Sequence, residues 1–244
     1  MQLYIIRHGQ STNNALASQW DRVFDPQLTD LGWRQAQTLA EHLARGIHPE
    51  QKIGSSEEDT GVRTVQGYGI TRLFCSAMHR AMQTAQPIGT ALKLNPEVWV
   101  DNHEVGGIFL QYRDERETVG YPGKTRTEIL QEFPNYTLPE KITDQGWWDV
   151  KLGKEDWPGC QARAIRVTQQ LHRWADSEER IAIVSHGGFI DSLVKALINQ
   201  LPGRNLVYHN FNTAMNRIDF LDNGRRIDIR YLNRVDHLPQ ELVS

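Results

Sequence analysis

A short apolar run at residues 3–6 ends abruptly at Arg7-His8-Gly9, and polar residues follow it. A run of this kind predicts a buried strand. The strand would present a cation and an imidazole where the chain leaves the sheet, and Gly9 would let the backbone come close to a bound group. A second apolar run, at residues 181–184, ends in the same way at Ser185-His186-Gly187-Gly188. A fold for this chain must therefore accommodate two strands that each end in a histidine.

Strand-like and helix-like patterns alternate along the chain, which predicts a parallel sheet with helices on both faces. Two further alternating segments close the chain around Asp222-Asn223-Gly224, a turn typical of a β-hairpin. The predicted strands span residues 3–6, 70–76, 97–100, 180–185, 214–221 and 226–232, and the predicted helices span 31–45, 78–92, 161–176 and 189–199. The fold class is therefore α/β: a three-layer α/β/α sandwich with a mostly parallel central sheet and a C-terminal β-hairpin.

We expect a single domain over residues 1–244, because the sequence contains no clear linker or internal repeat. Residues 48–69 are polar and lack periodicity, which predicts a surface insertion between a helix and a strand. Residues 101–159 also lack strong periodicity, and so long a segment inside a compact domain indicates a cap over a functional site. The cap is rich in aromatic and cationic residues: Tyr112, Tyr121, Tyr136, Trp147, Trp148, Trp157, Arg113, Arg116, Lys124 and Arg126.

Composition limits the partners of the chain. A formal net charge of −3 over 244 residues argues against nucleic-acid binding through bulk electrostatics. No apolar segment approaches the roughly 18 residues of a transmembrane helix, and the first strand leaves no room for a signal peptide. The two cysteines, Cys75 and Cys160, form no disulfide framework or zinc ribbon. We therefore expect a cytoplasmic protein without a membrane or nucleic-acid partner.

Four predicted strand ends place charged side chains at one edge of the sheet, where ligands of open α/β sheets bind. Arg7 and His8 end the first strand, Arg80 and Glu104 follow the second and third, and His186 ends the fourth. These residue types suit a tetrahedral dianion. Guanidinium groups donate paired hydrogen bonds to phosphate oxygens, a neutral imidazole can attack phosphorus, and a carboxylic acid can protonate the leaving oxygen.

A metal site is the alternative use of the two histidines, since His8 and His186 could bind zinc. The adjacent arginines would repel a cation, and the sequence contains no His-Glu-x-x-His motif or cysteine pair. The sequence therefore favours an anion over a metal ion at this edge.

The order and spacing of these residues resemble the histidine phosphatase superfamily, which includes cofactor-dependent phosphoglycerate mutases and many phosphatases. The matching motifs are Arg7-His8-Gly9 with Asn14, Leu28-Thr29-x-x-Gly32, Ser76-x-x-x-Arg80-Ala81-x-Gln83-Thr84-Ala85, Glu104, and Ser185-His186-Gly187-Gly188. They span nearly the whole chain in the family's order. The resemblance implies a phosphoglycerate mutase-like fold and a covalent phosphohistidine mechanism.

The resemblance also implies a role for each matching residue. His8 would be the nucleophile, and Glu104 would be the general acid and then the general base for water. The phosphate and substrate contacts would come from Arg7, Asn14, Arg80, His186 and Gly187. No metal and no organic cofactor is implied, the partner is a small-molecule phosphomonoester, and a homodimer is left open. Three other carboxylates compete with Glu104 for its role: Glu97, Asp101 and Glu115.

The choice between phosphatase and mutase depends on the cap. Mutases of the family carry an Arg-His-Tyr-Gly-like run next to the acid, whereas Asp101-Asn102-His103 precedes the acid here, so we favour hydrolysis. The tryptophans Trp147, Trp148 and Trp157 predict a bulky or partly apolar leaving group. A phosphoglycerate mutase is the first alternative. A non-catalytic phosphate- or protein-binding module on the same fold is the second, although binding alone does not need both a nucleophile and an acid.

Overall fold

The computed structural model describes residues 1–51, 62–112 and 118–244. Within these residues the strands are β1 (Gln2–Arg7), β2 (Ile47–Gln51), β3 (Val62–Gln66), β4 (Arg72–Cys75), β5 (Glu97–Val98), β6 (Phe109–Gln111), β7 (Thr118–Gly120), β8 (Arg180–Ser185), β9 (Met215–Leu221) and β10 (Arg226–Arg234). The α-helices are α1 (Asp30–Arg45), α2 (His79–Leu92), α3 (Arg126–Glu132), α4 (Trp157–Arg173) and α5 (Gly187–Leu197).

The central sheet contains six strands in the order β10-β9-β1-β8-β4-β5. β1, β8, β4 and β5 run parallel, whereas β9 is antiparallel to β1 and pairs with β10 as a C-terminal hairpin. Arg7 is in register with Ser185, and Cys75 with Val184, so the carboxyl ends of three neighbouring strands are nearly level. The predicted α/β fold with a mostly parallel sheet is confirmed.

Alternate residues of the central strands face opposite sides of the sheet, and each side is covered by helices. Leu3 and Ile5 of β1 pack in the cluster that contains the buried residues of α4 and α5. Tyr4 and Ile6 belong to the cluster on the other face, which contains the buried residues of α1 and α2. This explains why the strands read as continuous apolar runs, since both of their faces are buried.

Side-chain caps fix where the helices begin. Thr29 Oγ1 accepts a hydrogen bond from the N–H of Gly32 at 3.1 Å and starts α1 where the sequence predicts it. Asp156 Oδ1 accepts from the N–H of Gly159 at 2.8 Å. This cap starts α4 at Trp157, four residues before the predicted start at residue 161.

The prediction of an irregular surface insertion at residues 48–69 is corrected in part, because β2 and β3 pair as an antiparallel ribbon. The polar residues of this segment include a buried carboxylate that forms ion pairs. The carboxylate of Glu50 is 5% exposed and lies 2.8 Å from Arg63 Nη2 and 3.5 Å from Arg217 Nη2, on the edge hairpin of the main sheet. A buried charge that is paired with another charge gives no apolar periodicity. The sequence therefore did not predict the strand that contains Glu50. Residues 52–61 lie outside the described residues.

The cap predicted at residues 101–159 contains β6, β7 and α3. Trp147 and Trp148 pack against each other and against the ring of His103 within the cap, and Trp147 also packs against the core cluster on the α1 and α2 side of the sheet. The hydroxyl of Tyr136 donates to the carbonyl of Met82 at 2.7 Å, which ties the cap to α2. Two of the cap cations also have structural partners: Lys124 pairs with Glu132, and Arg126 donates to the carbonyls of Pro139 and Ile142. Arg113 and Arg116 lie outside the described residues.

Cys75 and Cys160 are both buried and unbonded to each other. Burial raises the pKa of both thiols, so neither provides a reactive thiolate. Among the described helices, none is long and apolar enough to cross a membrane.

His42 and His237 form a histidine cluster close to the chain segment that follows β1. The rings of His42 and His237 stack with their centroids 5.6 Å apart, and His237 Nε2 lies 3.2 Å from Thr213 Oγ1. The N–H of Thr213 donates to the carbonyl of Arg7 at 3.0 Å, so the cluster supports the backbone that leads to His8. Burial, together with the neighbouring His42, lowers the pKa of His237 from 6.5 to about 4.

The lowered pKa of His237 predicts a loss of stability on acidification. Between pH 6.5 and 4 the unfolded chain binds a proton at this residue and the folded chain does not, so the free energy of unfolding falls as the pH falls, by about 3 kcal/mol from this group. We expect His237→Gln to make this fall smaller in urea unfolding measured across that pH range. His172→Gln, at an exposed position of α4, is the matched control. Equal pH dependence of the wild type and His237→Gln would contradict the prediction.

Candidate active site

Three neighbouring strands deliver the charged residues of the site to one edge of the sheet. Arg7 is the last residue of β1 and His8 follows it, while His186 follows β8 and precedes α5. Arg80 lies in the first turn of α2, which begins shortly after β4. Because the ends of these strands are level, the side chains meet: the rings of His8 and His186 are 5.1 Å apart between centroids.

The hydrogen bonds of His8 fix the state of its ring. Nδ1 lies 2.6 Å from the carbonyl oxygen of Gly9, which can only accept, so the ring proton is on Nδ1. Nε2 accepts a hydrogen bond from Arg80 Nε at 3.0 Å. Burial, followed by the positive charges of Arg80 and Arg7, holds the pKa of His8 well below its usual range. The imidazole is therefore neutral at physiological pH, and the lone pair on Nε2 lies beside a cation.

His186 is oriented by Ser76. The hydroxyl of Ser76 accepts from the N–H of Met78 at 3.1 Å and lies 2.8 Å from His186 Nε2. Ser76 Oγ has one proton, which it can donate to Nε2, and in that arrangement the imidazole proton is on Nδ1. Burial, Arg80 and His8 hold the pKa of His186 well below its usual range, so this ring is also neutral.

Two buried nitrogen atoms at this edge have no hydrogen-bond partner within the described part of the chain: His186 Nδ1 and Arg7 Nε. Arg7 Nη1 is occupied, since it donates to the carbonyl of Asn210 at 2.6 Å. Buried donors are normally satisfied. A tetrahedral anion bound between the two histidines would accept from both of these nitrogens, so the donor set fits the predicted dianion.

Asp25 is a carboxylate at the site that the sequence did not single out. Its side chain is 5% exposed, and Oδ1 lies 4.0 Å from Arg80 Nη1 and accepts from the N–H of His79 at 3.0 Å. Burial raises the pKa of Asp25, and the positive charge of Arg80 opposes that rise. Asp25 therefore braces the first turn of α2 from the side facing away from His8. Nothing in a turn-rich segment such as Asp25-Pro26 distinguishes a buried acid from an ordinary turn residue.

Glu104 is held at the N-terminus of α5. Its Oε1 accepts from the N–H groups of Val105 and Phe189, both at 2.9 Å, and its Oε2 accepts from the N–H of Gly188 at 3.1 Å. These three N–H groups fix the position of the Glu104 carboxyl group at the edge of the sheet. Ser185 Oγ donates to the carbonyl of Asn102 at 2.8 Å and so fastens the segment before Glu104 to β8.

The competing carboxylates are used elsewhere. Glu97 pairs with Arg72 at 3.0 Å, and Asp101 pairs with Lys141 at 3.0 Å. Glu115 lies outside the described residues. Of the weighed carboxylates that the structure describes, Glu104 is the one that reaches the edge with the histidines.

A cavity of about 590 Å³ opens over this edge, and Arg80 and Glu104 form part of its wall. Of the tryptophans predicted to face a substrate, only Trp157 lines it. The rest of its wall includes aromatic, cationic and acidic side chains: Trp20, Phe24, Phe109, Arg22, Lys154, Glu155 and Asp156. A larger groove of about 780 Å³ lies against α1 and α2 and contains none of the predicted site residues.

Two predicted substrate contacts have less support from the geometry. Asn14 is exposed, its Oδ1 accepts from the N–H of Ser11 at 3.1 Å, and its neighbour Asn13 lines the cavity instead. Gly187 begins α5 beside Arg7, where an added methyl group would lie 3.6 Å from Arg7 Nε. Both assignments stay predictions. Among the described residues, no cluster of three or more histidine, cysteine, aspartate or glutamate side chains could hold a metal ion.

A parallel sheet whose carboxyl edge gathers two neutral histidines, two arginines and two carboxyl groups defines a class of α/β proteins with a histidine-centred anion site. The sequence model of the histidine phosphatase superfamily (branch 1) matches residues 3–59 and 51–232. The chain belongs to this superfamily, as the motifs predicted.

Similar proteins include phosphoglycerate mutase-like protein 4 of Arabidopsis thaliana, which is 27% identical over 244 residues, 98% of this chain and 87% of that protein. The phosphoserine phosphatase of Entamoeba histolytica has a similar fold, with a TM-score of 0.60 and 18% identity over 98% of this chain and 99% of that chain. A mycobacterial glucosyl-3-phosphoglycerate phosphatase gives a TM-score of 0.57 and 18% identity over 96% and 99%. At these identities the solved structures establish the fold.

The contact between Glu104 and α5 predicts different outcomes for two adjacent substitutions. A methyl group at Gly188 would lie 2.7 Å from Glu104 Oε1 and 2.8 Å from Val105 Cγ1, whereas one at Gly187 meets the Arg7 side chain at ordinary distances of 3.6 Å or more. Both positions are in the first turn of the same helix, so the gain in helix propensity is similar. We expect Gly188→Ala to be about 1–3 kcal/mol less stable than Gly187→Ala in urea unfolding. Equal stability of the two variants would show that the carboxylate is not held there.

Proposed function

We propose that the protein hydrolyses phosphomonoesters through a phosphohistidine intermediate on His8. The observation that carries the proposal is the hydrogen-bond pattern of His8, whose proton is held on Nδ1 by Gly9 while Nε2 presents its lone pair beside Arg80. A buried imidazole in this state is a nucleophile that needs no prior deprotonation. Its cationic neighbour would draw the phosphoryl group to the attacking atom.

In the first step, the Nε–H of Arg80 turns from His8 Nε2 to a phosphoryl oxygen, the freed Nε2 lone pair attacks phosphorus, and the bond from phosphorus to the ester oxygen breaks. The leaving oxygen takes a proton from Glu104 in its carboxylic acid form. Arg7, Arg80 and the Nδ1–H of His186 neutralise the remaining phosphoryl oxygens, which is the main requirement of phosphoryl transfer. In the second step, water attacks the phosphohistidine, Glu104 takes the proton of that water, and the P–N bond breaks to release phosphate and restore His8.

The lining of the cavity supports a leaving group with apolar surface. Trp20, Phe24, Phe109 and Trp157 form part of its wall, and aromatic rings bind flat or apolar groups well. We therefore propose a substrate whose alcohol is bulky and partly apolar. A panel of aryl phosphates, nucleotides and sugar phosphates tests this. A clear preference for small, highly charged phosphates such as phosphoglycerates would contradict it.

A phosphoglycerate mutase is the second candidate, and one observation favours it: Arg22 and Lys154 also line the cavity and could hold a second anionic group. The cap cations Lys124 and Arg126, by contrast, are engaged in structural contacts. Isomerisation of phosphoglycerate that depends on bisphosphoglycerate would support the mutase. A non-catalytic binding module on this fold would show neither activity.

Turnover of nitrophenyl phosphate by the wild type and by His8→Ala tests the proposed nucleophile. We expect His8→Ala to lower kcat/KM by at least about 10³-fold, because the variant lacks the nitrogen to which the proposed mechanism transfers the phosphoryl group. His172→Ala, on the exposed side of α4, should retain wild-type activity.

The proposed mechanism involves no metal ion, so dialysis of the wild type against a chelator should leave the rate unchanged. Activity that survives His8→Ala would show that the nucleophile is assigned wrongly. Loss of activity on dialysis, restored by a divalent cation, would show that the mechanism is incomplete.

A further inference from the structure

We propose that Arg163 is a positioning residue for the general acid, and that it fixes the backbone segment on which Glu104 stands. Glu155, from the wall of the cavity, would hold Arg163 in place for this task. The inference rests on the phosphatase activity proposed above. It assigns a role to a buried ion pair that takes no part in binding the phosphate.

Arg163 bonds to the main chain on the N-terminal side of Glu104. It lies in the middle of α4 and is 2% exposed. Its Nη1 donates to the carbonyl oxygens of Asp101 at 2.7 Å and His103 at 2.8 Å. The second carbonyl belongs to the residue directly before the acid, so the guanidinium fixes the peptide unit from which Glu104 projects.

The other side of the guanidinium is occupied by Glu155. Arg163 Nε and Nη2 donate to the two carboxylate oxygens of Glu155 at 3.0 and 2.6 Å, which is the bidentate geometry of a strong charge-assisted pair. The N–H of Glu155 donates in turn to the carbonyl of Gly106 at 3.0 Å, on the C-terminal side of the acid. The segment that carries Glu104 is thus bonded on both sides to one ion pair.

A third contact joins Arg163 to the group that holds the carboxylate itself. The guanidinium carbon lies 4.5 Å from the centroid of the Phe189 ring, and the N–H of Phe189 donates to Glu104 Oε1. Arg163 therefore contacts both groups that position Glu104: the backbone from which Glu104 projects, and Phe189 in the first turn of α5. A lysine could not make these contacts together, because its ammonium lacks the planar fork of donors.

Burial of an ion pair is weak evidence for a stabilising role, since removing two charges from water costs about as much as their attraction returns. The position of the general acid relative to the leaving oxygen is a more demanding requirement than the stability of the ion pair. A general acid must lie within hydrogen-bond reach of the leaving oxygen, and an error of about 1 Å can cost about 10²-fold in rate. The structure thus assigns this pair to placing the acid, and the assignment predicts a dependence on the leaving group.

Two substrates that differ in their need for an acid provide the test. An alkyl phosphate must protonate its leaving alkoxide, whereas nitrophenolate leaves as a stable anion without a proton. The value of kcat/KM reports the steps up to phosphoryl transfer to His8 and so isolates the role of Glu104 as an acid. The variants are Arg163→Lys and Glu155→Gln, with Glu104→Gln as the reference for a lost acid and Arg173→Lys, an exposed arginine of the same helix, as the matched control. Thermal unfolding of each variant monitors the fold.

We expect Arg163→Lys and Glu155→Gln to lower kcat/KM for the alkyl phosphate by about 10- to 100-fold and for nitrophenyl phosphate by less than about 3-fold. Glu104→Gln should show the same selectivity in stronger form, and Arg173→Lys should show no loss. Equal losses on both substrates, or no loss, in the two variants of the pair would overturn the positioning role and leave the phosphatase proposal intact. A wild type inactive on both substrates, or a Glu104→Gln variant without selectivity, would overturn the proposed mechanism and this inference with it.

Discussion

The hydrogen bond from Arg80 Nε to His8 Nε2 is the interaction on which the site depends. Both groups are buried, and burial disfavours the charged form of the imidazole. The adjacent guanidinium disfavours that form further, so His8 stays neutral although it lies at a site that gathers positive charge. The same bond sets the direction of the Nε2 lone pair. This contact thus keeps the ring neutral and orients its Nε2 lone pair, while the carbonyl of Gly9 holds the ring proton on Nδ1.

The level strand ends of the sheet and two closely packed glycines place His8 and Arg80 where this hydrogen bond can form. Level strand ends bring β1, β8 and β4 to one edge, and their outgoing segments supply the two histidines and the two arginines. The segment after His8 passes very close to α1: a methyl group at Gly9 would lie 2.5 Å from the carbonyl oxygen of Gly32, and one at Gly32 would lie 2.1 Å from that of Gln10. Only glycine fits at both places. The motifs around Gly9 and Gly32 are therefore two halves of one backbone contact behind His8, the proposed nucleophile.

The sequence predicted the parts of the site that follow directly from a strand end, such as Arg7, His8 and His186, because an apolar run ending in polar residues is a local pattern. It did not predict Asp25, the hydrogen bond of Ser76 to His186, or Arg163, because each acts on a partner brought close only by the fold. The strand at Glu50 was missed for a related reason: a buried carboxylate paired with arginines reads as polar surface. Of the cap tryptophans, Trp157 lines the cavity while Trp147 and Trp148 pack against each other inside the cap, a difference that composition cannot reveal.

Direct detection of the covalent intermediate tests the central claim. The wild type is mixed with a phosphomonoester that it turns over, quenched in alkali, digested, and searched by mass spectrometry for an acid-labile phosphate on a histidine. The account predicts one modified site, at His8, and no modification at this peptide in His8→Ala. Phosphate found on His186, or turnover without any trapped phosphohistidine under conditions in which the intermediate accumulates, would contradict it.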